Sequence, residues 1–275
     1  MDDAGNVNLA VIPEYMKYLN DNRVHGILVG GTTGEAALLN LPERKLLLEA
    51  WVKAAKPFGA KVISQVGGAP ILDVIELAKF SQEIGAHAIM TLPELYYKPR
   101  TVEQLVDYLQ MVSEAAPLLP LIYYHFPMMS GVDVNIKQFF SLATSRIPAF
   151  KGMKADLGVA VQVTDQLASD QRIFIANHHL ATSALMGYHS SIATVTNMFP
   201  DLVLDIVDAV SHAAVETAKV KQEKMNRIVD CIAAHGDFVP AMKAAMGLIS
   251  EVKVGPPRKP LSRLQESQII SLHDK

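Results

Sequence analysis

A chain of 275 residues can bury a large core, either as one α/β body or as two smaller ones. Half of its residues are hydrophobic and 19% are charged, and a formal net charge of −3 gives no field to recruit nucleic acid or a membrane surface, which leaves small polar molecules as substrates. The single cysteine, Cys231, excludes an internal disulfide, fits a reducing compartment and reads as a core thiol.

The first residues, MDDAGNVNLAV, are acidic and lack the basic and apolar regions of a signal peptide. No run reaches the roughly 18 apolar residues of a bilayer span, so the expected location is cytoplasmic. A helical pattern, VIPEYMKYLNDNRV, comes next, and then short, near-continuously apolar runs alternate with helices. The predicted strands are GILVGG (26 to 31), KVISQVGG (61 to 68), AIMTLPE (88 to 94), PLIYYHFP (120 to 127), AFKGMK (149 to 154), RIFIANH (172 to 178) and SIATVTN (191 to 197). Runs apolar on both faces are those of a parallel sheet covered on both sides.

The connecting segments have recognisable ends. LPERKLLLEAWVKAAKP carries Pro42 near its start and an apolar stripe of Leu46, Leu47, Ala50, Trp51 and Ala54; LDVIELAKFSQEIGA ends at Gly85, where a left-handed cap is expected. Regular alternation of strand and helix predicts an α/β fold of the (β/α)8 TIM-barrel type over residues 1–200. Only seven strands are countable, so the first is missing or degenerate, with NVNLAV a poor substitute. Beyond Asn197 only helices are predicted, at roughly 201 to 235, 237 to 250 and 261 to 271, forming a C-terminal helical extension over 201–275.

Barrel chemistry sits at strand C-termini. After the first run, GGTTGE (30 to 35) is either a plain Gly-rich turn or a cradle in which Thr32, Thr33 and free N–H groups hold a carboxylate. In YYHFP, strand alternation lets only one of Tyr123 and Tyr124 face inward, and His125 alone reads as packing. In FKGMKAD, strict alternation puts Phe150, Gly152 and Lys154 on one face and Lys151 and Met153 on the other. Lys154 stands at the strand tip and Lys151 about 10 Å earlier, so they differ in role. A lysine inside an apolar barrel has a depressed pKa and attacks ketones as the neutral amine; the bland alternative is a solvated or ion-paired lysine. The pair His178-His179 is a poor metal site, because adjacent strand residues diverge and no spaced carboxylate joins them. His189 and the turn pair Arg258-Lys259 read as surface or loop residues.

GTTGE, a Tyr before x-x-Pro, and a strand-end Lys in Phe-x-Gly-x-Lys occur in order, and in these the chain resembles the pyruvate-dependent class I aldolases of the N-acetylneuraminate lyase and dihydrodipicolinate synthase family. The segments AAPLLPLIYYHFPMMSGV, ERKLLLEAWV, LYYKP, SALMGY and GPPRKPL are similar to its animal N-acetylneuraminate lyase branch, and the resemblance runs from about residue 6 to residue 262.

The resemblance implies Lys154 as the Schiff-base lysine, Tyr124 as the proton relay, Thr32 and Thr33 as the carboxylate-binding pair, and Tyr96, or Tyr97 one position on, as an aromatic reaching across a subunit interface. It places Thr194 near the substrate's polar tail and Gly152, beside the lysine, among the substrate-binding residues, and it makes Thr33 and Tyr96 catalytic aids to Tyr124. Two departures stand out: Ala155-Asp156 where the family has a hydroxyl two positions after the lysine, and Ala176-Asn177-His178-His179 where it has Gly-x-Asp-Glu. Asn177 and His178 still offer donors and acceptors for hydroxyls.

The implied activity is reversible cleavage of N-acetylneuraminate to N-acetylmannosamine and pyruvate by a homotetramer, with no metal or organic cofactor and no nucleic-acid or membrane partner. Two alternatives stay open: another 2-keto-3-deoxy acid or a semialdehyde as substrate, or a truncated non-catalytic paralogue that binds keto acids or assembles with full-length subunits.

Overall fold

The computed structural model describes residues 1–273; Asp274 and Lys275, the end of the predicted extension, lie outside the described residues. The apolar runs form strands β1 (Gly26–Val29), β2 (Lys61–Gln65), β3 (Ala88–Thr91), β4 (Leu121–Tyr124), β5 (Phe150–Ala155) and β6 (Arg172–Ile175). They pair in sequence order and all parallel, as the alternation with helices requires. Helices α1 (Ile12–Asp21), α2 (Leu41–Ala55), α3 (Ile71–Glu83), α4 (Val102–Ala115), α5 (Pro127–Ser130), α6 (Ile136–Arg146), α7 (Leu157–Ala160) and α8 (Leu180–Leu185) precede, link or follow the strands. Asn40 and Glu43 form a reciprocal capping box at the start of α2, and Gly85 after α3 has φ +84° as expected.

The sheet curls, and its two faces carry different cores. Outward, Val29, Val62, Ile89, Leu121, Tyr123 and Ile173 pack under the helices, whereas Ala88, Met90, Ile122 and Tyr124 turn inward with Leu28 and Phe174. The predicted stripe of α2 is rotated: Arg44, Leu48, Trp51 and Ala55 are its buried residues and Leu46 is 52% exposed. The rotation brings the Arg44 guanidinium to the carbonyls of Gln65 (2.8 Å) and Gly67 (3.0 Å), and burial lowers its pKa to about 10.

Among the described residues the first strand is missing, as one of the two readings had it, and the predicted strand SIATVTN is absent. NVNLAV becomes a 3-10 turn at Leu9–Val11, because the Asn8 side chain accepts from the Ala10 N–H and starts a helical turn. SIATVTN makes one isolated bridge, Ser191 to Ile175, and then closes into a 3-10 helix, Thr194–Asn197, with the Asn197 amide donating to the Thr194 carbonyl. What remains is a six-stranded, curled parallel sheet in an α/β fold. The predicted helix over 201 to 235 is two, α9 (Pro200–Ser211) and α10 (Val215–Ala233), broken where Ala213 takes φ +57°. With α11 (Phe238–Ile249) and α12 (Glu266–His273) they share an apolar cluster that starts at Leu180 of α8 and reaches Tyr15 and Tyr18 of α1.

Strict alternation fails in β5. Leu121 pairs with Phe150, yet Tyr123 pairs with Met153, so three steps on β5 oppose two on β4. The extra residue turns Phe150 outward into the core that also holds Met153 and Ala155, and Lys154 is delivered to the inner face beside Tyr124. Phe150, Gly152 and Lys154 therefore do not share one face. Gly152 has φ +127°, and a β-carbon there would run into the Arg172 carbonyl, 2.8 Å from its carbon. Gly152→Ala is expected to destabilise the fold by at least about 1–3 kcal/mol; an unchanged urea midpoint would show that the bulge does not need glycine.

Candidate active site

Registry between β4 and β5 sets Tyr124 opposite Lys154, and the His125 N–H donates to the Lys154 carbonyl at 2.9 Å just beyond. The Lys154 amine donates to the Tyr124 hydroxyl at 2.7 Å, and that hydroxyl is 2.9 Å from Thr32 Oγ1. The Phe126 ring lies parallel to that of Tyr124 at 6.0 Å, and Lys154 Nζ is 3.9 Å from the Tyr124 ring centre. Three predicted residues from three different strand ends thus form one hydrogen-bonded row.

Lys154 is 7% exposed, and desolvation alone lowers its pKa from 10.5 to about 8. Lys151 instead forms an ion pair with Asp170 at 2.6 Å on the outside of the sheet's far end. The two lysines divide as their positions predicted: one is a paired surface charge, the other a partly neutral amine. Burial raises the Tyr124 pKa against the opposing Thr32 hydrogen bond, so its hydroxyl keeps its proton at neutral pH.

Other predicted residues do not join this row. Thr33 and Thr194 line a cavity of about 230 Å³ that runs toward Tyr15 and Trp51. Asn177 and His178 follow β6, where the Ala176 N–H donates to the Ala155 carbonyl; Asn177 Oδ1 accepts from the His179 N–H at 3.1 Å, and the His178 carbonyl accepts from Gln222 at 2.7 Å. The His178 ring sits 4.7 Å from that of His179, and burial, then His179, lowers its pKa. Gly152 serves through its backbone. Tyr96, 86% exposed and edge-on to Tyr97 at 5.1 Å, is not brought to Lys154 within one chain. Among the described residues no cluster of three or more His, Cys, Asp or Glu could hold a metal ion.

Sequence reasoning missed the support of the Thr32 loop. Glu35 is buried at φ +57°, and its carboxylate accepts from Lys243 Nζ (2.5 Å) and the Arg258 N–H (2.7 Å). Arg258 lies in a loop, as expected, but its side chain is only 21% exposed: its guanidinium grips the Glu43 carboxylate and the carbonyls of Leu38 and Gly5. The available signal was an arginine between prolines in GPPRKP, a stiff arm with few amide donors of its own.

An amine that loses its proton near pH 8, beside a protonated phenol, is equipped to form an imine and to carry a proton. The move of the Lys154 pKa from 10.5 to about 8 corresponds to roughly 3 kcal/mol against its charged form. That cost is full below pH 8, where folded and unfolded amines are both charged, and fades toward pH 10.5 as both become neutral. Lys154→Met should therefore be more stable than the native chain at pH 7, by up to about 3 kcal/mol, with the gap closing as pH rises. Urea titrations across that range would overturn this if the variant gained nothing at pH 7.

The fold has known counterparts. The model of the dihydrodipicolinate synthetase family matches residues 1–275. N-acetylneuraminate lyase of Homo sapiens is 32% identical over 269 residues, spanning 96% of this chain and 84% of that protein. The solved N-acetylneuraminate lyases of Proteus mirabilis (TM-score 0.92, covering 99% of this chain and 92% of that one) and Aliivibrio salmonicida (TM-score 0.93, covering 100% and 91%) are each 28% identical to it. The chain belongs to the dihydrodipicolinate synthetase family.

Proposed function

We propose that the protein is a Schiff-base aldolase that reversibly cleaves N-acetylneuraminate to N-acetylmannosamine and pyruvate. The observation that carries the proposal is a buried amine with no carboxylate partner, hydrogen-bonded to a protonated tyrosine at the tips of adjacent strands. Similarity to curated lyases of that name supports the substrate.

Neutral Lys154 attacks the C2 ketone and water leaves, giving an iminium. The electrons of the C3–C4 bond flow into it, leaving an enamine, while the C4 hydroxyl proton passes to the Tyr124 oxygen and the Tyr124 proton moves on to the substrate carboxylate. N-acetylmannosamine departs, C3 is reprotonated, and water releases pyruvate. In this reading Thr32, Thr33 and neighbouring N–H groups hold the carboxylate, Gly152 keeps the lysine aimed inward, and Asn177, His178 and Thr194 face the polyhydroxyl tail. Imine chemistry of this kind needs no metal or organic cofactor.

We read the sheet as the wall of a (β/α)8-type barrel over residues 1–200, braced by the helical extension over 201–275. The 86% exposure of Tyr96 supports a homotetramer in which this aromatic completes the site of a neighbouring copy.

Borohydride added with pyruvate should fix a pyruvyl adduct on Lys154, seen by peptide mass spectrometry, and release of pyruvate from N-acetylneuraminate should couple to a dehydrogenase. Tyr124→Phe should keep the adduct and lose turnover by about 10²–10⁴-fold. An adduct on Lys151, or none, would sink the mechanism.

A further inference from the structure

We infer that Glu35, clamped by Lys243 and Arg258, is a positioning residue that sets Thr32, and through it Tyr124, against Lys154. Its catalytic consequence rests on the aldolase reading; its structural one rests on geometry alone.

Glu35 adopts the left-handed region, uncommon for a residue with a β-carbon, so the corner is imposed from outside. Both carboxylate oxygens are taken by groups from the far end of the chain. Lys243 of α11 reaches one and also donates to the Pro256 carbonyl at 2.9 Å, which ties α11 to the GPPRKP turn; the Arg258 N–H takes the other. The Arg258 side chain then holds Leu38 and Glu43, so the clamp brackets the segment from both ends.

That corner is continuous with the proposed relay. The Glu35 N–H donates to the Thr32 carbonyl at 3.1 Å, and the turn is so tight that a β-carbon on Gly34 would lie 3.2 Å from the Gly30 backbone. Any rotation of Glu35 moves Thr32, whose hydroxyl is 2.9 Å from Tyr124. Neighbouring elements have their own ties, β1 its ladder to β2 and α2 its capping box, whose Glu43 the Arg258 side chain also holds. What the Glu35 clamp adds is the position of the loop.

Lys243→Met alone would strand a buried carboxylate, so the test pairs it with Glu35→Gln, which removes both charges, and uses Lys243→Arg as the conservative control. In the double variant, amide exchange over residues 30–38 should quicken by at least about tenfold with the rest of the sheet unchanged. The kcat on N-acetylneuraminate should fall about 10–100-fold while borohydride-trapped pyruvyl-Lys154 stays within about threefold, and Lys243→Arg should recover most of the rate. Unchanged exchange over 30–38, or a rate that falls only in step with folded protein and equally in both variants, would overturn the inference. Should the native chain trap no pyruvate, the aldolase reading fails and the exchange comparison still decides the clamp.

Discussion

Keeping a primary amine out of water without a counter-ion is what the architecture of the site is arranged to do. Lys154 sits on a strand whose apolar side chains, Phe150, Met153 and Ala155, belong to the helix-covered face, and one extra residue in β5 turns it inward. The amine then faces aromatic rings and a hydroxyl in place of carboxylates, and its low pKa follows from that environment. Asp170, just before β6, is engaged by Lys151 at the opposite end of the strand.

The reactive half and the tail half of the site are built differently. Lys154, Tyr124 and Thr32 are joined by direct hydrogen bonds and rooted in strands. Asn177 and His178 sit on a loop whose polar groups are partly committed, to His179 and to Gln222 of α10, and their neighbour across the strand, Asp156, caps α7 through the Val159 N–H. Such a loop offers amide and imidazole groups to hydroxyls where a carboxylate pair would impose fixed acceptors. Under the proposed reading, substrate choice would rest with the loop after β6 and imine formation with the strands.

Much of this was legible in the residues. Apolar runs bounded by turn signals located all six strands, and their ends narrowed the candidates to Lys154, one of Tyr123 and Tyr124, and the GGTTGE turn, among which the family resemblance chose Lys154, Tyr124 and Thr32. The parity of β5 was not legible, since a bulge depends on how two strands pair, and only Gly152 with its positive φ hinted at it. SIATVTN read as a strand because β-branched residues dominate it, but Asn197 bonding back to Thr194 closes a turn. The α2 stripe was misplaced because a pattern of Leu and Ala cannot reveal that Arg44 will go inside to satisfy carbonyls at the end of β2. The partnership of Glu35 with Lys243 and Arg258 was beyond reach, as no local pattern links residues so far apart.

That separation has a consequence for how the protein is made. The Arg258 to Glu35 contact spans 223 positions, among the longest-range tertiary links in the molecule, whereas each strand of the sheet meets its predecessor after one crossover. Contacts that close such large loops are late events in folding. A growing chain can therefore complete the sheet, and bring Lys154 beside Tyr124, well before the third member of the row has a fixed place. Catalytic competence would then arrive with the last few dozen residues to be synthesised, making the intactness of the carboxyl-terminal end a condition for activity at the opposite end of the polypeptide.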